Sequence, residues 1–221
     1  MARPYISVVI PSYNEMVNLR KGVLDKVEHF LSKQNYEWEV IVVDDGSTDG
    51  SREFVGNFIN SNSSFRLIAG KHKGKVGAVT QGMLEAKGKY RLFTDMDQAT
   101  PIEEIDKFLP YFDSKYDIVI GSRTTRKGAP WTRMLMSQGM IVLRSIIVGL
   151  PGIKDTQCGF KAFTQEAAEE LFSEMKKIHN GFEDVSGSSV DAGFDVELLL
   201  LAQRRGFSIK EVPVDWLYVE T

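Results

Sequence analysis

A single α/β domain, built on a doubly wound and mostly parallel sheet flanked by helices, is the fold predicted by this 221-residue chain. Two patterns carry the prediction. Short runs rich in branched and aromatic residues recur at 6–10, 38–43, 65–69, 90–94 and 116–120, and helical apolar spacing fills the intervals. Parallel neighbours need a crossover, and a helix supplies one, so the alternation implies a sheet covered on both faces. The helical patterns are Leu19, Val23, Val27, Phe30 and Leu31, then Phe54, Val55, Phe58 and Ile59, then residues 76–86 and 102–112. The second half is less regular. An apolar helix over 131–148 is followed by a loop at 151–159, a helix from Thr164, a polar stretch at 179–192 and a further helix before 207–214. No internal repeat and no linker interrupts the chain.

Composition narrows the class. With 43% hydrophobic and 26% charged residues, 19 Gly and 7 Pro, the chain is that of an ordinary globular protein. The one cysteine, Cys158, cannot close an intramolecular disulfide and is too few for a thiolate zinc site, which favours a reducing compartment. A net charge of -3 lacks the basic footprint of a nucleic-acid binder, so no nucleic-acid partner is expected. Met1 leads directly into the first strand-like run, and no secretory signal is expected. The most apolar window, 134–150, is interrupted by Ser137, Gln138, Arg144 and Ser145 and falls short of the ~20 residues that span a bilayer.

In a doubly wound sheet, ligands bind beyond the carboxyl ends of the strands. Three polar clusters fall there: ProSerTyrAsnGlu at 11–15, AspAspGlySerThrAsp at 44–49 and AspMetAsp at 95–97. Several common chemistries recede. The 70–76 segment has the wrong spacing for a P-loop, no GxGxxG follows a strand, no GxSxG is present, and His29, His72 and His179 lack metal-ligand spacing.

Asp95 and Asp97 lie two apart in an extended segment and so point to one side, where they can share a hard divalent cation. The competing reading is that Asp97 or Thr100 caps the helix begun by Pro101. In the 44–50 segment, Gly46 suits a tight turn, and Ser47 or Asp49 suits a helix cap. Asp45 is left needing donors, which ribose hydroxyls or a base N–H could supply, and capping and ligand contact both stand here. Lys71, Lys73 and Lys75 alternate with Gly70, Gly74 and Gly77 before a helix, which suits either a diphosphate or a solvated loop. Arg123, Arg126, Lys127 and Arg133 form a second basic cluster, suited to a second anion.

The order and spacing of IleProSerTyrAsnGlu, AspAspGlySerThrAsp, GlyLysValGlyAla, AspMetAsp and GlySerArg resemble family 2 glycosyltransferases of the GT-A fold. AspThrGlnCysGlyPheLys at 155–161 and PheAspValGluLeuLeu at 194–199 narrow the resemblance to the polyprenyl-phosphate branch, closest to dolichyl-phosphate β-glucosyltransferases. The resemblance implies inverting transfer of a sugar from a nucleotide donor, UDP-glucose favoured, to a polyprenyl phosphate, with Mg2+ or Mn2+ as cofactor. It implies that Pro11, Tyr13, Glu15 and Asp45 hold base and ribose, that Lys75 lies near them, and that Asp95 and Asp97 govern metal and diphosphate. Arg123 and Arg133 would face phosphates, of the acceptor or the donor, and Arg126 and Gln157 are expected to contact substrate as well. Asp97, Arg123 and Asp195 would be the catalytic groups, Asp195 standing where related transferases often place a base. A phosphate monoester has a second pKa near ~6 and is largely ionised at neutral pH, so Asp195 is expected to orient more than deprotonate, or simply to cap its helix.

Some mannose-transferring relatives place a glutamine two residues after the second aspartate, where this chain has Ala99, which favours a glucosyl donor. The alternatives are a GDP-mannose enzyme, a family 2 transferase acting on a glycan, a nucleotidyltransferase and a sugar-nucleotide-binding module. Residues 1–122 are expected to serve the nucleotide sugar and residues 123–221 the acceptor. Location at the cytosolic face of a membrane is expected, with 131–148 either a surface-binding element or a core helix and 181–193 a lid over the acceptor.

Overall fold

The computed structural model describes residues 3–127, 150, 152–182 and 193–217, the stretch 124–127 by its backbone alone. The 131–148 helix, Arg133, the side chain of Arg126 and most of the 181–193 loop lie outside the described residues.

Seven strands form one sheet in the order β3-β2-β1-β4-β6-β5-β7. In chain order they are β1 (Ile6–Ser12), β2 (Trp38–Asp44), β3 (Phe65–Ala69), β4 (Tyr90–Thr94), β5 (Ile118–Lys127), β6 (Phe160–Thr164) and β7 (Ile209–Leu217). β1 is parallel to β2 and β4, β2 to β3, and β5 to β7, whereas β6 runs antiparallel to both β4 and β5. Every residue of β1 and β4 is buried, as expected for central parallel strands sandwiched between helices.

Two apolar layers enclose the sheet. On one face, α1 (Met16–Arg20), α2 (Val23–Leu31), α3 (Ser51–Ile59), a 3-10 helix (Ile102–Lys107) and α5 (Leu109–Asp113) cover Val8, Ile10, Val40 and Leu92. On the other, α4 (Gly74–Glu85), α6 (Gln165–Ile178) and α7 (Phe194–Arg204) cover Val9, Ile41, Val43 and Phe93. The predicted doubly wound fold and the helix beginning at Thr164 are both present, and the Thr164 hydroxyl accepts the Ala167 N–H at 3.3 Å.

Three local expectations are revised. The apolar pattern from Leu19 to Leu31 is broken at Gly22, whose φ of +74° starts a second helix at Val23. The 102–112 pattern is a 3-10 turn followed by α5, because Pro110 has no N–H to continue a single α-helix and instead occupies the first turn of a new one. The segment 160–164, absent from the predicted strands, is β6, an apolar run too short for its periodicity to separate strand from helix.

Candidate active site

The loops after β1, β2 and β4 and the start of α4 surround a cavity of about 320 Å3, lined by Pro11, Ser12, Tyr13, Glu15, Asp45, His72, Lys75, Ala78, Asp95, Met96 and Asp97. A second cavity of about 170 Å3 is lined by Thr94, Asp95, Asp97, Ala99, Thr100, Arg123, Gln157, Gly159 and Trp216. Asp95 and Asp97 belong to both walls. The structure thus gathers every described site residue of the sequence prediction into these two cavities except Asp195, which lines neither, while Arg133 and the side chain of Arg126 are outside the described residues.

Turn chemistry shapes the first cavity. Gly46 takes φ +83°, and a Cβ there would come within 2.9 Å of the His72 backbone nitrogen, so glycine lets the two loops close together. Asp44 Oδ2 accepts N–H groups of Gly46 and Ser47 and pairs with Arg52 at 2.7 Å. Asp49 accepts the N–H groups of Met16 and Ser51, so it serves the orphan amides of two helices, and Ser47 instead accepts from Asn14.

Asp45 is buried, and both its oxygens have protein donors: the Lys73 N–H at 2.7 Å and His72 Nδ1 at 2.6 Å. Burial pushes its pKa up against these stabilising bonds. The His72 ring lies flat against Tyr13, with ring centres 4.0 Å apart and planes at 7°. His72 was dismissed in the sequence for lack of metal spacing; its alternation with Lys71 and Lys73 beside Gly70 was the available signal. Of the lysines in the 71–75 segment, Lys73 turns away to the Gly181 carbonyl at 3.1 Å, and Lys75 enters the cavity to meet Asp95 at 2.5 Å.

The fit of a divalent cation rests on the carboxylate pair. Lys75 occupies Asp95 Oδ1, and the Ala99 N–H occupies Asp97 Oδ1 at 2.9 Å, which leaves Oδ2 of each without a protein donor among the described residues. The capping reading does not hold: Asp97 Oδ1 takes the amide of Ala99, a loop residue ahead of the 3-10 helix, whose N-cap Pro101 brings no side-chain bond, so neither Asp97 nor Thr100 caps it. Burial, followed by the charge of Asp95, raises the pKa of Asp97. Glu15, beside them, is raised by burial and by Asp97, Asp95 and Asp49, against a lowering bond from Asn18. Gly159 packs so tightly on Asp95 that any Cβ would collide with the carboxylate. Among the described residues no cluster of three metal-ligating side chains exists. Two carboxylates with open oxygens suit a hard ion that completes its shell with phosphate and water, as Mg2+ and Mn2+ do.

Opposing charges stand around the pair. Burial lowers the pKa of Lys75, but Asp95, Asp195 and Asp97 outweigh it and leave the ammonium more firmly protonated than a free lysine. In the second cavity, Arg123 makes a two-pronged contact with Asp155 through Nε at 2.7 Å and Nη2 at 2.8 Å. That pair holds Asp155 below the ordinary carboxylate value despite burial, and keeps Arg123 above its own. Arg123 therefore reaches the cavity as a clamped cation with its Nη1 edge remaining. Asp195 does not cap α7, whose N-cap is Gly193; its Oδ1 is held by Lys161 Nζ at 2.5 Å. Glu197 pairs with His179 at 2.9 Å, so the two acids of this helix have separate partners.

The family model described as glycosyl transferase family 2 matches residues 7–172. A dolichyl-phosphate β-glucosyltransferase of Trichomonas vaginalis is 36% identical over 96% of this chain and 64% of its own length. One from Saccharomyces cerevisiae is 32% identical over 98% of this chain and 68% of its own length, so the chain spans about two thirds of such relatives. In fold, the chain resembles a mannosyltransferase of Pyrobaculum calidifontis solved with GDP-Man and Mn2+, at 20% identity and a TM-score of 0.62, covering 100% of this chain and 57% of that one. The sheet is that of the GT-A fold, and the chain belongs to glycosyl transferase family 2.

Proposed function

We propose that the protein transfers glucose from UDP-glucose, with inversion, to the phosphate of a dolichyl-type polyprenol at the cytosolic face of a membrane. The observation that carries this reading is the pair of cavities sharing Asp95 and Asp97 as a common wall, in a chain similar along nearly its whole length to dolichyl-phosphate β-glucosyltransferases. The larger cavity suits a nucleotide, residues 1–122 serving the donor, and the smaller suits a phosphate, residues 123–221 serving the acceptor.

In this reading the uracil and ribose lie among Pro11, Tyr13, Glu15 and Asp45, with His72 supporting the Tyr13 ring. Lys75 meets the diphosphate, and Asp95 and Asp97 hold Mg2+ or Mn2+. When bound, such a cation neutralises charge on the departing nucleoside diphosphate. Arg123, with Gln157 beside it, orients the acceptor phosphate, and Arg126 and Arg133 add positive charge on the same side. One phosphate oxygen forms the bond to the anomeric carbon as the bond to UDP breaks, UDP leaving with the electron pair. The acceptor is largely ionised at neutral pH, so Asp195 contributes orientation rather than proton removal. Ala99, which lines the second cavity, adds no ligand to the carboxylate pair, and this supports a glucosyl over a mannosyl donor.

The test is incubation with a short polyprenyl phosphate, Mn2+ and either UDP-glucose or GDP-mannose. The expected product is a β-linked prenyl phosphoglucose together with UDP. Transfer only to free glycans, or only from GDP-mannose, would contradict the proposal.

A further inference from the structure

Lys161 is a fully buried side chain near the start of β6, between Phe93 of β4 and Ile120 of β5 in the strand register. Its Nζ touches three things: the Cys158 carbonyl at 2.5 Å, Asp195 Oδ1 at 2.5 Å, and the face of the Phe93 ring, 5.4 Å from its centre. Stability does not explain such a residue. Burying an ammonium costs several kcal/mol, and well-packed apolar replacements of buried ion pairs are often neutral or stabilising.

The geometry does offer an explanation. One ammonium ties together the start of α7, which carries Asp195, and the 155–159 loop, which places Gln157 and Gly159 in the second cavity. Two residues beyond Phe93, β4 delivers Asp95 to the wall shared by both cavities. Asp195 Oδ2 accepts no bond from the described residues, and Asp195 acts electrostatically on both Lys75 and Arg123.

We propose that Lys161 is a positioning residue that pins Oδ1 of Asp195, fixing where that carboxylate's charge stands relative to Lys75 and Arg123. The inference rests on the transferase reading above and adds to it a buried part that no substrate touches. Lys161 acts through Asp195, so removing both must cost no more than removing Asp195.

The experiment is a double-substitution cycle with Lys161→Met, Asp195→Asn and the pair together, reading kcat, donor KM, acceptor KM and Tm. Lys161→Met is expected to lower kcat by roughly 30- to 100-fold while both KM values stay within about threefold, the signature of lost orientation rather than lost binding. Asp195→Asn is expected to lower kcat by about 100-fold or more, and the double variant to match it. The thermal cycle runs the other way. Asp195→Asn leaves Lys161 buried without its counter-charge and should lower Tm by roughly 6–12 °C, which Lys161→Met in the same chain restores. Kinetic effects that multiply in the double variant, a wild-type kcat in Lys161→Met, or a Lys161→Met protein that does not fold would each overturn the proposal. If the wild type transfers sugar to no polyprenyl phosphate, the transferase reading and this inference fall together; an active wild type with an uncoupled cycle removes the inference alone.

Discussion

At the end of β2, Asp44 and Asp45 are 1% and 4% exposed and serve the protein's own backbone and cations, whereas Asp95 and Asp97 after β4 each face two cavities with one oxygen unclaimed. Both pairs end a buried strand of the same sheet, so position alone does not separate them. Access to the cavities does, since Asp44 also keeps an oxygen, Oδ1, without a donor but shut inside the protein. Asp44 gathers three donors on Oδ2 and builds the turn; Asp45 fixes His72 and the 72–74 backbone; the β4 pair repels itself and awaits positive charge. A carboxylate enclosed with its donors builds the turn, whereas one that keeps an oxygen open to a cleft is placed to take a ligand.

The contrast breaks most visibly at Asp97. Asp97→Ala should reduce kcat by about 1,000-fold or more in steady-state assays, because the charge it holds against the leaving diphosphate is worth roughly 4 kcal/mol per unit pair. A variant within tenfold of wild type would place the metal elsewhere. Asp44→Ala should do the opposite, losing about 2–3 kcal/mol of stability in urea unfolding as the Gly46 and Ser47 amides lose their acceptor, with kcat changed less than about threefold. Asp45 lies between these cases. Asp45→Asn keeps an acceptor for Lys73 but loses the charge facing His72, and donor KM should rise about tenfold, roughly 1.4 kcal/mol, at nearly constant kcat.

The smallest effect concerns pH. Asp97 has a folded pKa above its ordinary 3.8, so its ionised form opposes folding above that raised value. In the presence of a chelator, Asp97→Asn should therefore be slightly more stable than wild type at pH 7. The gap should shrink as pH falls through the raised pKa and close below 3.8, as thermal unfolding across pH would show. A gap that widens on acidification would give the pair the opposite sign.

Much of the first cavity was legible because it is local. Strand, polar cluster and helix follow one another from β1 to β4, so period and punctuation place Tyr13, Asp45, Lys75, Asp95 and Asp97 at one sheet edge. The second cavity and its surroundings were less legible because their contacts join distant segments. β6 lies antiparallel between β4 and β5, Arg123 meets Asp155 across 32 positions, and Lys161 meets Asp195 across 34. The resemblance pointed to the CysGlyPheLys segment without assigning the lysine a role, and Asp195 was weighed against capping because its counter-charge is not a sequence neighbour. The Tyr13–His72 stack was missed for the same reason, since it joins loops after different strands.

The most direct test of the open carboxylate pair is thermal unfolding of wild type and Asp97→Ala with UDP-glucose, in Mn2+ and in chelator. At a donor concentration near 100 times its Kd, the wild type should gain about 2.7 kcal/mol, roughly 5–10 °C, in Mn2+ and far less in chelator, while Asp97→Ala should gain little in either. An equal UDP-glucose shift with and without Mn2+, or an undiminished Mn2+-dependent shift in Asp97→Ala, would contradict the assignment of Asp95 and Asp97 as the residues that join cation and donor.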